Sequence, residues 1–165
     1  TGPAFQLGLR LSPERFDIRM DEALSLAQQV MAGGQIDYLD MSLWDVAKEP
    51  VEEPFQGRTL MSYFTDLPRG NVRLGAAGKV MSAEQAAGVL EAGCDYVLVG
   101  RAAILRHDFP ERVRRDPAYQ SPPLPVTAEH LRDEGLSPAF IKYMSTWQGF
   151  VSADEASAQA SAAGS

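Results

Sequence analysis

The sequence predicts an α/β protein in which short strands alternate with helices. Four short apolar runs are each followed by a stretch in which apolar residues recur at helical spacing. Repetition of this unit favours parallel strands joined by right-handed crossovers. Two architectures share the pattern, a small open doubly wound sheet and half of a (β/α)8 barrel, and periodicity alone does not choose between them. Because a complete barrel needs about 250 residues, the barrel interpretation of a 165-residue chain requires that the other half be absent.

The individual elements follow from the apolar runs and from residues typical of helix ends. The strands are expected at residues 5–11, 36–41, 71–77 and 96–100. The helices are expected at residues 21–33, 60–67, 82–92, 109–115, 128–134 and 138–147. Asp21 is predicted to cap the first helix, and Ser82 with Gln85 to form a capping box at the third. On the last helix, Tyr143 and Trp147 could pack against the barrel or against a neighbouring subunit, and packing into the core is the default expectation.

Composition excludes several classes of partner. A net charge of -7 and a pI near 4.8 argue against a surface for nucleic acid or anionic membrane. No apolar run approaches the roughly 20 residues that span a bilayer. The single cysteine, Cys94, rules out an internal disulfide and suits a cytoplasmic protein, and we expect it to be a small buried residue. His107 is expected at the surface and His130 on an outlying helix, with no spacing that predicts a metal site.

The sharpest local pattern lies at the ends of the last two strands. One strand runs into residues 75–79 (GAAGK), and the next strand, further along the chain, ends in Gly100 and Arg101. In (β/α)8 barrels the loops after strands seven and eight form a common phosphate site from backbone N–H groups and a short helix N-terminus. Small residues let the backbone approach the phosphate, while Lys79 and Arg101 would supply charge.

A plainer interpretation is that these glycines only make tight strand–helix turns and that the cations are solvated. The occurrence of both loops in adjacent units favours the phosphate interpretation. The glycine spacing is not the G-x-G-x-x-G fingerprint of dinucleotide-binding folds.

Four blocks of sequence occur in an order that points to a family. They are residues 8–13 (GLRLSP), 36–42 (IDYLDMS), 75–78 (GAAG) and 92–102 (AGCDYVLVGRA). Together they resemble the C-terminal half of the Old Yellow Enzyme family of NADH:flavin oxidoreductases. The resemblance covers about residues 5–115 and implies a partial (β/α)8 barrel, strands five to eight with their helices plus C-terminal helices.

The resemblance also implies a site for FMN. Arg10 matches a cation at the end of strand five that contacts the flavin ring near N1 and the C2 carbonyl, where it would stabilise the negative charge of reduced flavin. A different interpretation of Arg10 is an ion pair with a carboxylate inside the barrel. The family's phosphate-binding positions match Ala77, Gly78, Lys79, Gly100 and Arg101. Many members have two adjacent glycines where this chain has Ala77-Gly78, and an alanine amide still donates a hydrogen bond if its φ is negative.

The family's substrate-carbonyl ligands and proton donor belong to the first half of the barrel. No catalytic residue is therefore predicted on this chain, and neither His107 nor His130 is given that role. The domains expected are residues 1–116, the barrel half; residues 117–151, a helical extension; and residues 152–165, a disordered Ala/Ser tail.

By resemblance, the parent protein is an FMN-dependent ene-reductase that takes hydride from NADH or NADPH and reduces an activated alkene. This fragment would supply the FMN phosphate site, would need the missing N-terminal half as its partner, and would be inactive alone. Two other classes stay open. One is a phosphate-binding barrel without redox chemistry, and the other is a non-catalytic half-barrel that self-associates as a homo-oligomer through its strand edges.

Overall fold

The computed structural model, which describes residues 5–152, contains a four-stranded parallel sheet. The strands are β1 (Gly8–Leu11), β2 (Tyr38–Ser42), β3 (Arg73–Ala77) and β4 (Tyr96–Leu98). The helices are α1 (Met20–Ala32), α2 (Leu60–Thr65), α3 (Ala83–Glu91), α4 (Arg101–Leu105), α5 (Phe109–Arg115), α6 (Ala128–Asp133) and α7 (Pro138–Met144), and a 3-10 helix spans Glu53–Phe55. The mixed α/β class with a parallel sheet is confirmed. Each strand overlaps its predicted position, although three of them begin later than the apolar runs do.

The strands follow one another across the sheet in chain order, β1-β2-β3-β4, and every neighbouring pair is parallel. A doubly wound sheet reverses its strand order at a switch point, and no reversal occurs among these four strands. Right-handed crossovers that always advance in one direction put the connecting helices on a single face of the sheet.

The apolar core of this region lies on that helix-covered face. Every second residue of the strands points into the core, because successive strand side chains alternate between faces. The buried strand residues are Leu11, Leu39, Met41, Leu74 and Ala76, and the helices add Met20, Ala27, Leu60, Phe64 and Val89. The opposite face of the sheet is left to the intervening residues, most of which are polar or glycine.

The start of α1 differs from the sequence-based prediction. Arg19, not Asp21, is the N-cap residue, and its backbone N–H donates to a Glu22 carboxylate oxygen at 3.0 Å. Asp21 instead accepts two hydrogen bonds from the Arg19 guanidinium, at 3.0 and 2.7 Å. The helix thus begins one residue earlier because Glu22 satisfies a backbone donor ahead of the first turn.

Residues 81–83 and 101–152 belong to a second compact unit, whereas the described residues up to 80 and residues 84–100 form the first. Its core packs Leu105, Leu131, Met144 and Phe150 from α4, α6, α7 and the segment after them. Helix α4 was not predicted, because five residues are too few to establish a helical period.

The expectation that Tyr143 and Trp147 pack into the core is wrong. Their exposed fractions are 52% and 39%, and they contact each other edge to face at the surface of the second unit. The predicted tail beyond residue 152 lies outside the described residues, and the predicted domain limits stay predictions. No helix within residues 5–152 combines the length and the apolar character needed to cross a membrane.

A buried carboxylate ties α4 to α6 in the second unit. Glu134 follows α6, and its side chain is 4% exposed. It accepts hydrogen bonds from the Arg106 guanidinium and from the His107 backbone N–H at 3.0 Å, and its other contact is the His107 ring Nδ1 at 2.7 Å. Burial opposes ionisation of this carboxyl, but the His107 and Arg106 donors outweigh it and hold the pKa of Glu134 below its ordinary value.

We expect Glu134→Gln to lower the free energy of unfolding of the second unit by about 1–3 kcal/mol at pH 7. Because the folded-state pKa of Glu134 is depressed, the stabilisation is fully present above the ordinary pKa of 4.5 and is lost as the pH falls through the folded-state value. The difference between wild type and variant should therefore shrink in acid.

The measurement is urea unfolding followed by tryptophan fluorescence in a Trp44→Phe background, in which Trp147 reports on the second unit alone. Glu129→Gln is the control, since this exposed carboxylate on the same helix should change stability by less than about 0.5 kcal/mol. A Glu134→Gln effect that is equal at pH 7 and pH 3 would contradict the assigned role.

Candidate functional site

The sheet face opposite the core lines a concavity of about 810 Å³. This volume lies in the range of roughly 300–1,000 Å³ that is common for small-molecule sites. Three residues predicted to bind FMN line it: Arg10, Ala77 and Gly100. Further polar and aromatic lining comes from Gln6, Asp37, Tyr38, Asp40, Asn71, Arg73 and Tyr96. All of these residues belong to the first unit, so its fold alone brings them together.

Four residues form one row across this face of the sheet. In the strand register Arg10 is opposite Asp40, Asp40 is opposite Gly75, and Gly75 is opposite Tyr96. Within the row an Arg10 guanidinium nitrogen lies 3.4 Å from one Asp40 oxygen, and the Tyr96 hydroxyl donates a hydrogen bond to the other oxygen. One carboxylate therefore binds donors from two other strands.

The tyrosine reaches the carboxylate because β3 carries no side chain at the crossing point. A Cβ on Gly75 would lie 2.2 Å from Cε2 of the Tyr96 ring, far inside van der Waals contact. The Tyr38 ring crosses Gly8 of β1 in the same way, where an added Cβ would lie 2.0 Å from Cε2. Burial and the hydrogen bond to the Asp40 carboxylate raise the pKa of Tyr96, so its hydroxyl stays a donor at neutral pH.

The loop after β3 packs tightly against the loop after β2. Val46 donates its backbone N–H to the Gly78 carbonyl at 3.2 Å. Gly78 has φ of +157°, and a Cβ there would lie 2.6 Å from the Asp45 backbone nitrogen and 2.8 Å from the Trp44 carbonyl carbon. Glycine is therefore required at position 78 by this backbone contact as well as by any approach of a ligand.

Lys79 lies in the left-handed region with φ of +48° and forms an ion pair with Asp45 at 2.9 Å. The hydrogen bond from the lysine ammonium holds the pKa of the Asp45 carboxyl below its ordinary value. A phosphate at this loop would compete with Asp45 for the lysine.

Gly100 follows β4 and is exposed, and Arg101 opens α4 in the second unit. Within the described part of the chain the Arg101 guanidinium takes part in no ion pair and no hydrogen bond to another side chain. Gly78, Lys79 and Arg101 do not line the concavity themselves, but each lies within two residues of a lining residue, Ala77 or Gly100.

The two histidines and the cysteine are packed against, or hydrogen-bonded to, other parts of the described structure. The His107 side chain is 70% exposed and contacts Glu134, and a ring nitrogen of His130 lies 2.9 Å from the Leu105 carbonyl oxygen. Cys94 is buried as predicted, and that burial raises the pKa of its thiol to about 11. Residues 5–152 contain no cluster of three or more His, Cys, Asp or Glu side chains that would suit a metal ion.

The sequence did not lead us to Tyr38, Asp40 and Tyr96, which lie on the sheet face opposite the core, hereafter the inner face. A signal existed, since Tyr38, Asp40 and Ser42 alternate with the buried Leu39 and Met41 and so had to share the other face. The link from Asp40 to Tyr96 could not be foreseen without the register that places Gly75 between them.

Comparison with known proteins supports the flavin oxidoreductases at a coarse level. The chain is 31% identical over 114 residues to a protein of Bacillus subtilis (strain 168) named a probable NADH-dependent flavin oxidoreductase, YqiG. The alignment covers 67% of this chain and 30% of YqiG, so the chain matches less than a third of that relative's length. No family model matches the sequence.

We expect Gly78→Ala to lower the free energy of unfolding of the first unit by about 1–3 kcal/mol, because the new Cβ collides with backbone that cannot rotate away. The control is Gly88→Ala in α3, where an added Cβ meets nothing within 4 Å and should stabilise the helix by about 0.5–1 kcal/mol. Urea unfolding of both variants in a Trp147→Phe background, in which Trp44 reports on the first unit alone, measures the difference. A Gly78→Ala protein as stable as wild type would show that the two loops do not pack as described.

Proposed function

We propose that this chain is the FMN-binding part of an NAD(P)H-dependent flavin oxidoreductase of the Old Yellow Enzyme type. The observation that carries the proposal is the meeting of Arg10, Ala77 and Gly100 around one concavity, since these three were assigned to the flavin from separate strands. The similarity to YqiG, whose name includes both NADH and flavin, supports the same class.

The phosphate end of the cofactor would lie at the carboxyl ends of β3 and β4. Backbone amides after parallel strands are good donors to phosphate, and Gly100 is exposed with open space around it, which leaves the backbone accessible there. Arg101, which has no ion-pair partner among the described residues, would add a bidentate cation. Lys79 would contribute once the phosphate replaces Asp45 as its partner.

The ring end would lie along the inner face near Arg10. This side chain is 63% exposed, so its guanidinium can contact a ligand while one nitrogen stays within reach of Asp40. Bound flavin supplies hydride transfer, and a positive charge beside its pyrimidine portion stabilises the reduced, anionic form. This chain's contribution is to bind and orient the cofactor; hydride acceptance by an activated alkene would need groups from elsewhere in the protein.

The uncovered face of the sheet supports a partial barrel. Four parallel strands in unreversed order, with the helices of the first unit on one side, are the arrangement expected for half of a (β/α)8 barrel. The other half would cover the polar face and supply the substrate ligands and the proton donor. The activity of the whole protein, its alkene substrate, its choice of NADH or NADPH and a cytoplasmic location all belong to this proposal.

We expect Arg101→Ala to weaken FMN binding by about 10- to 100-fold, the usual loss for a charged donor to a phosphate. Riboflavin lacks the phosphate, so its affinity should change little in the same variant. Flavin fluorescence titration of the purified protein measures both affinities. Arg132→Ala is the control, because this cation lies in the same unit and has no predicted contact with the cofactor.

The same titration tests whether Lys79 binds the phosphate, by means of a substitution of its ion-pair partner Asp45. Asp45→Asn removes the carboxylate that competes for the lysine, so FMN should bind several-fold more tightly while riboflavin binding stays constant. Failure of the wild-type protein to bind FMN, together with binding of another phosphorylated metabolite, would instead favour a barrel without redox chemistry. Equal losses of FMN and riboflavin affinity in Arg101→Ala would show that this residue does not bind the phosphate.

A further inference from the structure

We propose that Asp40 is a positioning residue for the flavin site, which balances the charge of Arg10 and fixes its guanidinium, and that Tyr96 holds Asp40 in that role. The inference rests on the proposed function, because it assumes that Arg10 lies beside a flavin. It adds a residue and a role that follow from the strand register and not from the sequence pattern.

The first step is the geometry of the row. Arg10 and Asp40 are register partners on neighbouring strands, so their side chains leave the same face of the sheet side by side. The 3.4 Å separation of guanidinium nitrogen and carboxylate oxygen makes Asp40 the ion-pair partner of Arg10 within residues 5–152. The exposed fractions of the two side chains differ widely, 63% for Arg10 and 14% for Asp40.

The second step is the anchoring of the carboxylate. Parallel strands lie about 4.8 Å apart, so Tyr96 is two strand spacings from Asp40 and must cross β3 to reach it. It crosses at Gly75, where any larger residue would collide with the ring. The Tyr96 hydroxyl then occupies one Asp40 oxygen and leaves the other for Arg10. Asp40 is thus held from one side and is free to hold Arg10 from the other.

The third step is the electrostatic consequence. A lone guanidinium acts on a nearby ligand with a full positive charge, whereas a cation paired with a carboxylate acts more like a dipole, whose field falls off faster with distance. The other charged side chains that line the concavity are Asp37 and Arg73, which lie at the amino-terminal ends of β2 and β3. Asp40 therefore decides how much positive charge Arg10 presents to the ring of a bound flavin.

The test is the two-electron midpoint potential of FMN bound to the complete protein, measured by spectroelectrochemistry. Arg10→Ala should lower the potential because the stabilising cation is gone. Asp40→Asn keeps the size and hydrogen bonding of the side chain but removes its charge. It should raise the preference of the protein for reduced over oxidised FMN by about tenfold, which corresponds to about 30 mV for two electrons.

Two controls test whether the effect of Asp40 on the potential depends on Arg10 or only on the net charge of the protein. Glu91→Gln makes the same charge change at an exposed position of α3 that does not line the concavity, and should leave the potential unchanged. In an Arg10→Ala background Asp40→Asn should raise the potential by less, because only the direct effect of the lost carboxylate charge remains and there is no guanidinium for Asp40 to hold. Asp40→Glu, which restores the charge, should return the potential toward the wild-type value. The smaller Asp40→Ser tests the same charge removal if Asp40→Asn does not fold.

The outcomes distinguish this inference from the proposed function. A protein that binds no FMN, or an unchanged potential in Arg10→Ala, would overturn both. A lowered potential in Arg10→Ala with no rise in Asp40→Asn or Asp40→Ser would overturn the role of Asp40 alone. An equal rise with and without Arg10 would show that Asp40 acts on the flavin directly and is not a positioning residue.

Discussion

The unreversed order of four parallel strands is the constraint on which the other features depend. Because each crossover advances in the same direction, all connecting helices of the first unit cover one face of the sheet. That face buries its leucine, methionine and alanine side chains. The other face has no helix from this unit to cover it, and the strands place polar, aromatic and glycine residues there. A ligand-sized concavity results from topology before any single side chain is considered.

On the inner face, large aromatic side chains lie over glycines of the neighbouring strand, which have no side chain. Tyr38 covers Gly8 and Tyr96 covers Gly75, so each glycine makes room for a ring from the neighbouring strand. The two rings meet edge to face, with centroids 6.4 Å apart and an interplanar angle of 79°. The crossing at Gly75 brings the Tyr96 hydroxyl to Asp40, which connects the last strand of the sheet to the first through one carboxylate. The same glycine–tyrosine packing therefore also determines where the Asp40 carboxylate is held.

Much of the fold could be predicted from the sequence because hydrophobic runs and helical periods report burial directly. The strand positions, the parallel sheet and the buried Cys94 followed from that information. Strand ends, the cap at Arg19 and the five-residue α4 did not, since these depend on individual hydrogen bonds or on segments shorter than one reliable period. The candidate site shows the same division. The positions of Arg10, Ala77 and Gly100 could be chosen by motif, but the pairing of Arg10 with Asp40 and of Lys79 with Asp45 requires side-chain distances.

We propose that the concavity on the inner face holds a flavin with its ring beside Arg10 and its phosphate at the ends of β3 and β4. A crystal structure of the complete protein with FMN tests this most directly. We expect the phosphate at the amides of residues 77–79 and 100–101, and a guanidinium nitrogen of Arg10 within hydrogen-bond distance of the flavin pyrimidine ring. A cofactor bound elsewhere, or a concavity filled by side chains from the rest of the protein, would contradict it.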